Sequence, residues 1–162
     1  TRGLMGYTSR FLTLTKGTGV INRIFHGFGK FEGEMDGRKN GALISMSNGK
    51  AVAFAIFNLQ ARGEMFVTHN DPVYEGMIVG LAPKAGDMII NVMKGKQLTN
   101  MRTQGTDENV VLTPVRQMSI AEQLSMLNTD EALEITPKSL RLRKAILNPN
   151  DRKKNEKSGT PL

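Results

Sequence analysis

The pattern of apolar and polar residues predicts that the chain has two parts, which are separated by a connecting loop. The spacing over residues 4–15 favours a short helix that ends at Gly17 and Gly19, and residues 20–28 follow as a predicted strand. Residues 29–40 combine charged side chains with glycines, which is typical of a connecting loop. We therefore predict a domain boundary near residue 30.

The pattern of the second part favours a sheet that packs on one helix. Residues 42–46 are predicted to form a buried strand, and residues 51–61 a helix that is apolar almost all round. Such a helix is expected to be buried on most of its circumference. Turn residues separate four further predicted strands, over residues 64–68, 77–81, 88–93 and 109–113. We expect a mostly antiparallel domain with one buried helix, in which the strands form either a twisted sheet or a partly closed, barrel-like sheet.

The C-terminal third carries clear start and turn signals. Ser119 and Glu122 have the spacing of a capping box, which predicts the start of a short amphipathic helix. Residues 133–136 and 140–143 read as two strands around a turn, and Pro149 favours a last helical turn. Residues 151–162 are too polar to pack, so we expect a disordered tail after the short C-terminal helices. The predicted fold class is α+β.

Composition excludes several classes of protein. The chain has 162 residues and 39% hydrophobic content, which is ordinary for a globular protein. It contains no cysteine, so disulfides, thiolate metal sites and a cysteine nucleophile are excluded. The longest run without a charged residue, 51–61, is much shorter than the about 18 apolar residues that a membrane span needs.

The charge balance is basic and uneven. Lysine and arginine number 22 against 15 acidic residues, which gives a net charge of +7. Basic residues dominate residues 1–39 and 138–162, whereas acidic residues dominate 105–137. Positive patches of this kind indicate either a binder of a polyanion such as nucleic acid or a well-solvated surface, and charge alone leaves both open.

The segment 93–108 is the best candidate for RNA binding. It is long for a connection between strands, and such loops are often functional. It combines cations that neutralise phosphates with amides and hydroxyls that hydrogen-bond to bases and 2′-hydroxyls. A solvated, mobile hairpin is the alternative. The predicted RNA-binding residues of the loop are Lys94, Lys96, Gln97, Asn100, Arg102 and Thr103.

A second group of cations lies near the C-terminus. The strict alternation of residues 140–143 places Arg141 and Arg143 on one face of a strand and the two leucines on the other. Lys144, Arg152 and Lys153 are predicted to extend this positive edge. A solvated strand face would explain the arginine pair by itself, and the basic tail makes phosphate contact the better interpretation.

Catalytic and metal sites have weak support in the sequence. His26 and His69 lack carboxylates at ligand spacing, so no metal site is predicted. Gly95 and Lys96 do not complete a phosphate-binding loop, because Gln97 stands where that motif needs Ser or Thr. A hydrolase that uses His69 and Asp71 is a distant possibility, since a turn before Pro72 explains the same residues.

Several sequence motifs follow one another in a fixed order along nearly the whole chain. They are residues 1–19, 38–45, 49–51, 57–63, 73–77, 96–102, 105–108, 135–137 and 140–144. The first of them resembles the end of the fifth domain of elongation-factor-G-like GTPases, and the others resemble the BipA/TypA family of ribosome-associated translational GTPases. The similarity covers nearly the whole chain, so the chain is identified as a C-terminal fragment of a member of this family.

The resemblance implies a domain organisation. Residues 1–30 would be a helix–strand remnant of the ferredoxin-like fifth domain, 31–150 the family-specific C-terminal domain, and 151–162 the basic tail. The GTPase domain would precede this chain, so GTP and magnesium are expected only there. No cofactor, metal or catalysis is expected in the chain itself.

The resemblance also implies partners. The loop 93–108 would approach large-subunit ribosomal RNA at the peptidyl-transferase centre and the acceptor arm of the A-site transfer RNA. The resemblance implies roles in large-subunit assembly and in growth under cold or other stress. We also expect a monomeric, cytoplasmic protein that does not contact a membrane. A protein-interaction module is the alternative, docking on a ribosomal protein or assembly factor through surfaces that include Met88, Met93, Met101 and Met118.

Overall fold

The computed structural model describes residues 4, 7–30, 33, 38–95 and 111–158, apart from the side chain of Ser9. These residues form four helices and eight strands in a mixed α+β order. The fold class is therefore the predicted one. The helices are α1 (Tyr7–Leu14), α2 (Ala53–Gln60), α3 (Ile120–Ser125) and α4 (Pro149–Ser158). The strands are β1 (Ala42–Ser45), β2 (Gly49–Lys50), β3 (Glu64–Met65), β4 (Pro72–Val73), β5 (Ile78–Leu81), β6 (Met88–Ile90), β7 (Glu131–Ile135) and β8 (Leu140–Lys144).

The N-terminal part confirms the predicted helix but not the predicted strand. After α1 the chain turns at Gly17, whose positive φ of 81° allows its N–H to donate to the carbonyl of Leu12. Residues 20–28 pair with no strand among the described residues, and Ile24 and Phe28 are 92% and 99% exposed. The strand prediction for 20–28 is therefore wrong here, because an apolar pattern makes a strand only where a neighbour supplies hydrogen bonds.

A four-stranded open sheet with the order β3-β5-β1-β6 organises the second part. The strands β3 and β1 pair antiparallel with β5, whereas β6 runs parallel to β1. The sheet is mostly antiparallel, as predicted, but the described strands do not close into a barrel.

The core occupies both faces of this sheet, because successive side chains of a strand point to opposite faces. Leu43 belongs to one apolar cluster with Ile56 of α2, whereas its neighbours Ala42 and Ile44 belong to a second cluster with Leu142 of β8. The helix α2 therefore covers one face, and the hairpin β7–β8 covers the other.

The helix α2 is less buried than its sequence predicts. Of its residues only Ala55 and Ile56 are buried, while Phe57 and Asn58 are exposed. The prediction that this helix is buried on most of its circumference is wrong, because only one side meets the sheet and nothing in the described part of the chain covers the other.

Two C-terminal elements agree with their sequence signals. The capping box is present: Glu122 N–H donates to Ser119 Oγ, and Ser119 N–H donates to Glu122 Oε2. The predicted strands pair as the antiparallel hairpin β7–β8, with Leu133 opposite Leu142.

The predicted disordered tail, residues 151–162, is corrected for 151–158, which form most of α4. Asn148 caps this helix, because its Oδ1 accepts from Asn150 N–H at 2.9 Å, and Pro149 is the first helical residue. The helix buries no residue, so its cap and its local sequence support it. Residues 159–162 lie outside the described part of the chain.

Candidate nucleic-acid interface

A cleft of about 480 Å³ lies between the uncovered side of α2 and the chain that leaves β6. We call it the Lys94 cleft. Its lining residues come from two short segments of the chain, which are Phe54, Ala55, Asn58, Leu59, Arg62, Ile89, Ile90, Asn91 and Lys94. Because Lys94 is the second residue of the basic segment 93–108, the cleft lies at the point where that segment leaves the sheet.

Two cations give the Lys94 cleft its positive charge. Lys94 and Arg62 are both exposed, and neither side chain has an ion pair within the described ranges. Arg62 is held at the end of α2, where its backbone N–H donates to the carbonyl of Leu59 at 2.8 Å. Cations without a protein partner are available to neutralise an anion such as a phosphate.

Two amide side chains add hydrogen-bonding groups to the cleft. Asn58 Nδ2 donates to the carbonyl of Phe54 at 2.8 Å, which fixes the side chain and orients its Oδ1 away from that bond. Asn91 Oδ1 accepts from Met93 N–H at 2.9 Å, which similarly leaves Nδ2 as the outer atom. One acceptor and one donor are thus held in place, which is the chemistry that reads base edges and 2′-hydroxyls.

Apolar side chains form the remaining wall. Phe54 is half-buried and Ile89 is exposed, and both line the cleft. An aromatic ring beside cations and amides is typical of sites for unpaired nucleotides, because bases stack on such rings.

The chain that follows the long loop is hydrogen-bonded to the same helix at Thr113. The side chain of Gln60 donates from Nε2 to the carbonyl of Thr113 at 3.0 Å and accepts from Thr113 N–H at 3.2 Å. This pair of bonds replaces strand pairing, so the predicted strand over 109–113 is not formed by its described residues, 111–113. The described chain therefore lies beside α2 both at Lys94 and at Thr113.

Of the six predicted loop residues, the structure places only Lys94. Five lie outside the described residues and stay predictions, namely Lys96, Gln97, Asn100, Arg102 and Thr103.

The predicted C-terminal cations have protein partners to different degrees. Arg141 lies 3.8 Å from Glu134, and Arg143 donates to the carbonyls of Lys144 and Ala145. Arg152 donates to the carbonyls of Ile146 and Leu147, at 3.0 and 2.6 Å, and so fastens α4 to the end of the hairpin. Lys153 is exposed on α4. Their contact with RNA stays a prediction.

A cluster of buried charges was missed by the sequence analysis. Lys144 is only 2% exposed, and its Nζ donates to Asp130 at 2.7 Å, to Glu131 at 3.0 Å and to Asp87. Arg38 joins the cluster through two bonds to Glu131, at 2.5 and 2.8 Å. The prediction that Lys144 extends the positive edge is therefore wrong. Its position two residues after Leu142, on the inward face of β8, is the signal that could have found it.

The cluster shifts the pKa values of its members in opposite directions. Burial favours the neutral form of Lys144, but its bonds to Asp130, Asp87 and Glu131 outweigh burial and raise its pKa. Burial likewise acts to raise the pKa of Asp87, yet the Ala42 N–H, Lys144 and Arg38 together lower it below its ordinary value. Both groups are therefore held in their charged forms.

The histidine turn has a structural explanation. His69 Nδ1 accepts from Ala53 N–H at 3.2 Å, at the first turn of α2, and Asp71 Oδ2 accepts from the N–H and hydroxyl of Thr68. No group of three or more potential metal ligands occurs in the described ranges. None of the described helices is long and apolar enough to cross a membrane.

Comparison with known proteins gives one consistent result. The family model of the TypA/BipA C-terminal domain matches residues 40–149. The chain is 47% identical over 162 residues to the large ribosomal subunit assembly factor BipA of Buchnera aphidicola subsp. Schizaphis graminum, covering 99% of this chain and 27% of the relative. It is also 47% identical, over 94% of its length, to the proteins of the same name from Salmonella typhimurium and Escherichia coli K12, and covers 25% of each. The chain thus spans about a quarter of these relatives.

Proposed function

The chain belongs to the TypA/BipA family, and on that premise we propose that it binds ribosomal RNA through the Lys94 cleft and takes part in assembly of the large ribosomal subunit. The relatives that cover it are named for that assembly role. The observation that carries the proposal is that Lys94 and Arg62 are exposed and form no ion pair with the described residues, beside two oriented amides at the start of the loop.

The loop itself extends the proposed interface. Lys96, Asn100 and Arg102 follow Lys94 within a few residues, so they are available to continue a track of phosphate and base contacts. We propose that this track meets large-subunit RNA and the acceptor arm of the A-site transfer RNA. The cations of the C-terminal part, Lys153 on α4 among them, would then contact phosphates at a second point.

The longer protein would supply the remaining activity. We propose that it hydrolyses GTP with magnesium in a domain that this chain does not include, and that it acts in the cytoplasm as a monomer, with a role in stress or cold adaptation. Residues 1–30 would belong to the preceding ferredoxin-like domain, and residues 31–150 would form the RNA-contacting unit.

A paired substitution tests the cleft. Changing Lys94→Ala and Arg62→Ala together removes two phosphate contacts, so affinity for isolated large ribosomal subunits should fall about tenfold or more at moderate salt. The slope of log affinity against log salt should become shallower by about two. The matched control changes two exposed lysines outside the cleft, Lys30→Ala and Lys84→Ala, and therefore has the same net charge as the cleft variant.

The control separates a site from general charge. If both double variants weaken binding equally, net charge explains the affinity and the Lys94 cleft is not the interface. If neither variant changes affinity or slope, the proposed RNA contact at the cleft is wrong.

A further inference from the structure

A second, larger groove lies on the other face of the central sheet, away from the Lys94 cleft. Its volume is about 770 Å³, and it runs between α3, the residues just before it and the hairpin β7–β8. Buried core side chains, Ile78 and Leu142, lie at its base, and Met118 forms part of its wall. No residue of this groove lines the Lys94 cleft.

The rim of the groove presents apolar side chains to solvent. Ile120 of α3 is 47% exposed and Ile135 of β7 is 64% exposed, and they face the groove from its two sides. Neither is needed to complete the core cluster below them. Covering such side chains with an apolar group is favourable, since it removes apolar surface from water.

One residue that lines the groove has a polar atom with no hydrogen-bond partner among the described residues. Gln123 is 8% exposed, and its Nε2 donates to the carbonyl of Met118 at 3.4 Å. That bond identifies Oε1 as the remaining atom, and Oε1 is buried without a hydrogen bond among the described residues. Buried side-chain acceptors normally have a donor, so this one marks a position where a bound N–H group would be stabilised.

The charged side chains that line the groove are all positive. Three cations line it, Arg116, Lys138 and Arg141, and none of the described residues that line it is acidic. Glu122 lies 3.3 Å from Arg116 and Glu134 lies 3.8 Å from Arg141, so these two arginines are partly neutralised. Lys138, at the hairpin turn, is exposed and has no ion pair within the described ranges.

We propose that this groove binds an extended peptide segment of a partner protein, apolar at its centre and acidic at its ends. The central side chains would cover Ile120 and Ile135, one backbone N–H would donate to Gln123 Oε1, and the flanking carboxylates would pair with Lys138 and the partly neutralised arginines. A peptide fits better than RNA because the exposed side chains at the rim, Ile120 and Ile135, are aliphatic, and a nucleic acid strand offers few apolar groups to cover them.

A pair of synthetic peptides tests the proposal on the whole chain. The probe is an acetylated peptide with an Ile-Val-Leu centre and two aspartates on each side, and the control peptide carries lysines instead of the aspartates. Backbone amide chemical shifts of the labelled chain report where each peptide binds. The acidic probe should bind with a Kd on the order of 0.1 mM and shift the amides of residues 115–123 and 135–142.

Three variants assign the contacts. Lys138→Glu should weaken the acidic probe by about tenfold, whereas Lys84→Glu, an equal charge change outside the groove, should leave its affinity unchanged. Gln123→Met has similar length but removes both the Oε1 acceptor and the long 3.4 Å bond from Nε2 to Met118, and it should weaken the probe by about tenfold while lowering the midpoint of urea unfolding only slightly. A residue that serves only the fold would instead lower that midpoint and leave binding unchanged.

Each other outcome overturns the proposal. The groove is not a peptide site if the acidic probe at millimolar concentration shifts none of these amides, or if both peptides bind equally. If single-stranded oligouridylate shifts the same amides at lower concentration than the acidic probe does, the groove is a nucleic-acid surface instead.

Discussion

Lys144 is the residue whose surroundings decide how the hairpin β7–β8 is held on the sheet. Its ammonium group contacts three carboxylates from two places in the chain: Asp87 directly before β6, and the neighbours Asp130 and Glu131 at the start of β7. A buried cation with several partners adds little net stability compared with an apolar core, but removal of one member leaves the others uncompensated. The cluster therefore works as a tie between elements that are distant in sequence.

Substitution of Lys144 tests this tie. Lys144→Met keeps the length of the side chain, yet among the described residues it leaves the buried Glu131 with Arg38 as its one cation, beside the Asn128 N–H. We expect a loss of about 3 kcal/mol in the free energy of unfolding. Urea unfolding measures this loss. Lys84→Met, at an exposed lysine, is the control and should stay within about 0.5 kcal/mol of the unchanged chain.

The difference in the free energy of unfolding between the unchanged chain and Lys144→Met should depend on pH. The folded-state pKa of Asp87 is lowered, so its contribution is present above the ordinary aspartate value of about 3.9 and is lost as pH falls through the lowered value. The stability gap between the unchanged chain and Lys144→Met should therefore narrow on acidification below about pH 4. A gap that stays constant down to pH 2 would contradict the ion-pair explanation.

Tyr74 offers a spectroscopic prediction at the same scale. Its hydroxyl donates to Glu134 at 2.6 Å, and burial together with this carboxylate raises the pKa of Tyr74 to about 12. In a titration of phenolate absorbance, the component near that pH should disappear in Tyr74→Phe, whereas Glu134→Gln should move it to lower pH. A late component that persists in Tyr74→Phe would show that the assignment to Tyr74 is wrong.

At the scale of elements, Gly76 joins the sheet to the hairpin. Its N–H donates to the carbonyl of Ser45, and its own carbonyl accepts from Lys144 N–H at 2.9 Å. It has a positive φ of 82°, and a Cβ there would lie 2.7 Å from the Cα of Leu147. Only glycine satisfies both constraints, so the position is fixed by backbone conformation and by space.

Two glycines separate these constraints experimentally. Gly86 also has a positive φ, of 98°, but a Cβ there would meet nothing within 4 Å. Gly86→Ala should therefore cost only the about 1–2 kcal/mol of backbone strain, whereas Gly76→Ala should cost about 1–3 kcal/mol more because it also displaces Leu147. Urea unfolding of both variants measures the difference, and equal losses would mean that Leu147 moves aside freely.

Elements with local signals could be predicted from the sequence, and those that depend on distant partners could not. The α3 capping box and the hairpin β7–β8 depend on residues within a few positions, and both are present. The strand expected over residues 20–28 needed a neighbour, and the uncovered side of α2 depends on what packs against it. Most of α4 was predicted to be disordered because its residues are polar. The helix is stabilised by the Asn148 cap and by the hydrogen bonds of Arg152.

The same division explains what could be predicted of the candidate site. Lys94 stood out because basic and amide residues are concentrated in one stretch of sequence. Arg62 and Asn58 did not, since only the fold brings the outer side of α2 beside the end of β6. The alternation of residues 140–143, continued by one residue, places Lys144 on the inward face of β8. The sequence does not show which carboxylates contact Lys144 there, because only the fold brings Asp87, Asp130 and Glu131 to it.

For the whole molecule, the three-layer arrangement separates two surfaces of different chemistry. The Lys94 cleft lies beside α2 on one face of the sheet, and the groove beside α3 and the hairpin lies on the other. One surface offers amides and two cations that form no ion pair with the described residues, and the other offers apolar side chains with a buried acceptor. The two proposed sites share no lining residue, so binding at one does not require the residues of the other.

We propose that this chain binds ribosomal RNA by phosphate contacts. The most direct test is a salt titration of its binding to isolated large ribosomal subunits. Contacts from Lys94, Arg62 and the loop cations predict a steep fall in affinity, with log affinity decreasing by about one unit per phosphate contact for each tenfold increase in salt. Absent binding, or affinity that is insensitive to salt, would contradict the claim.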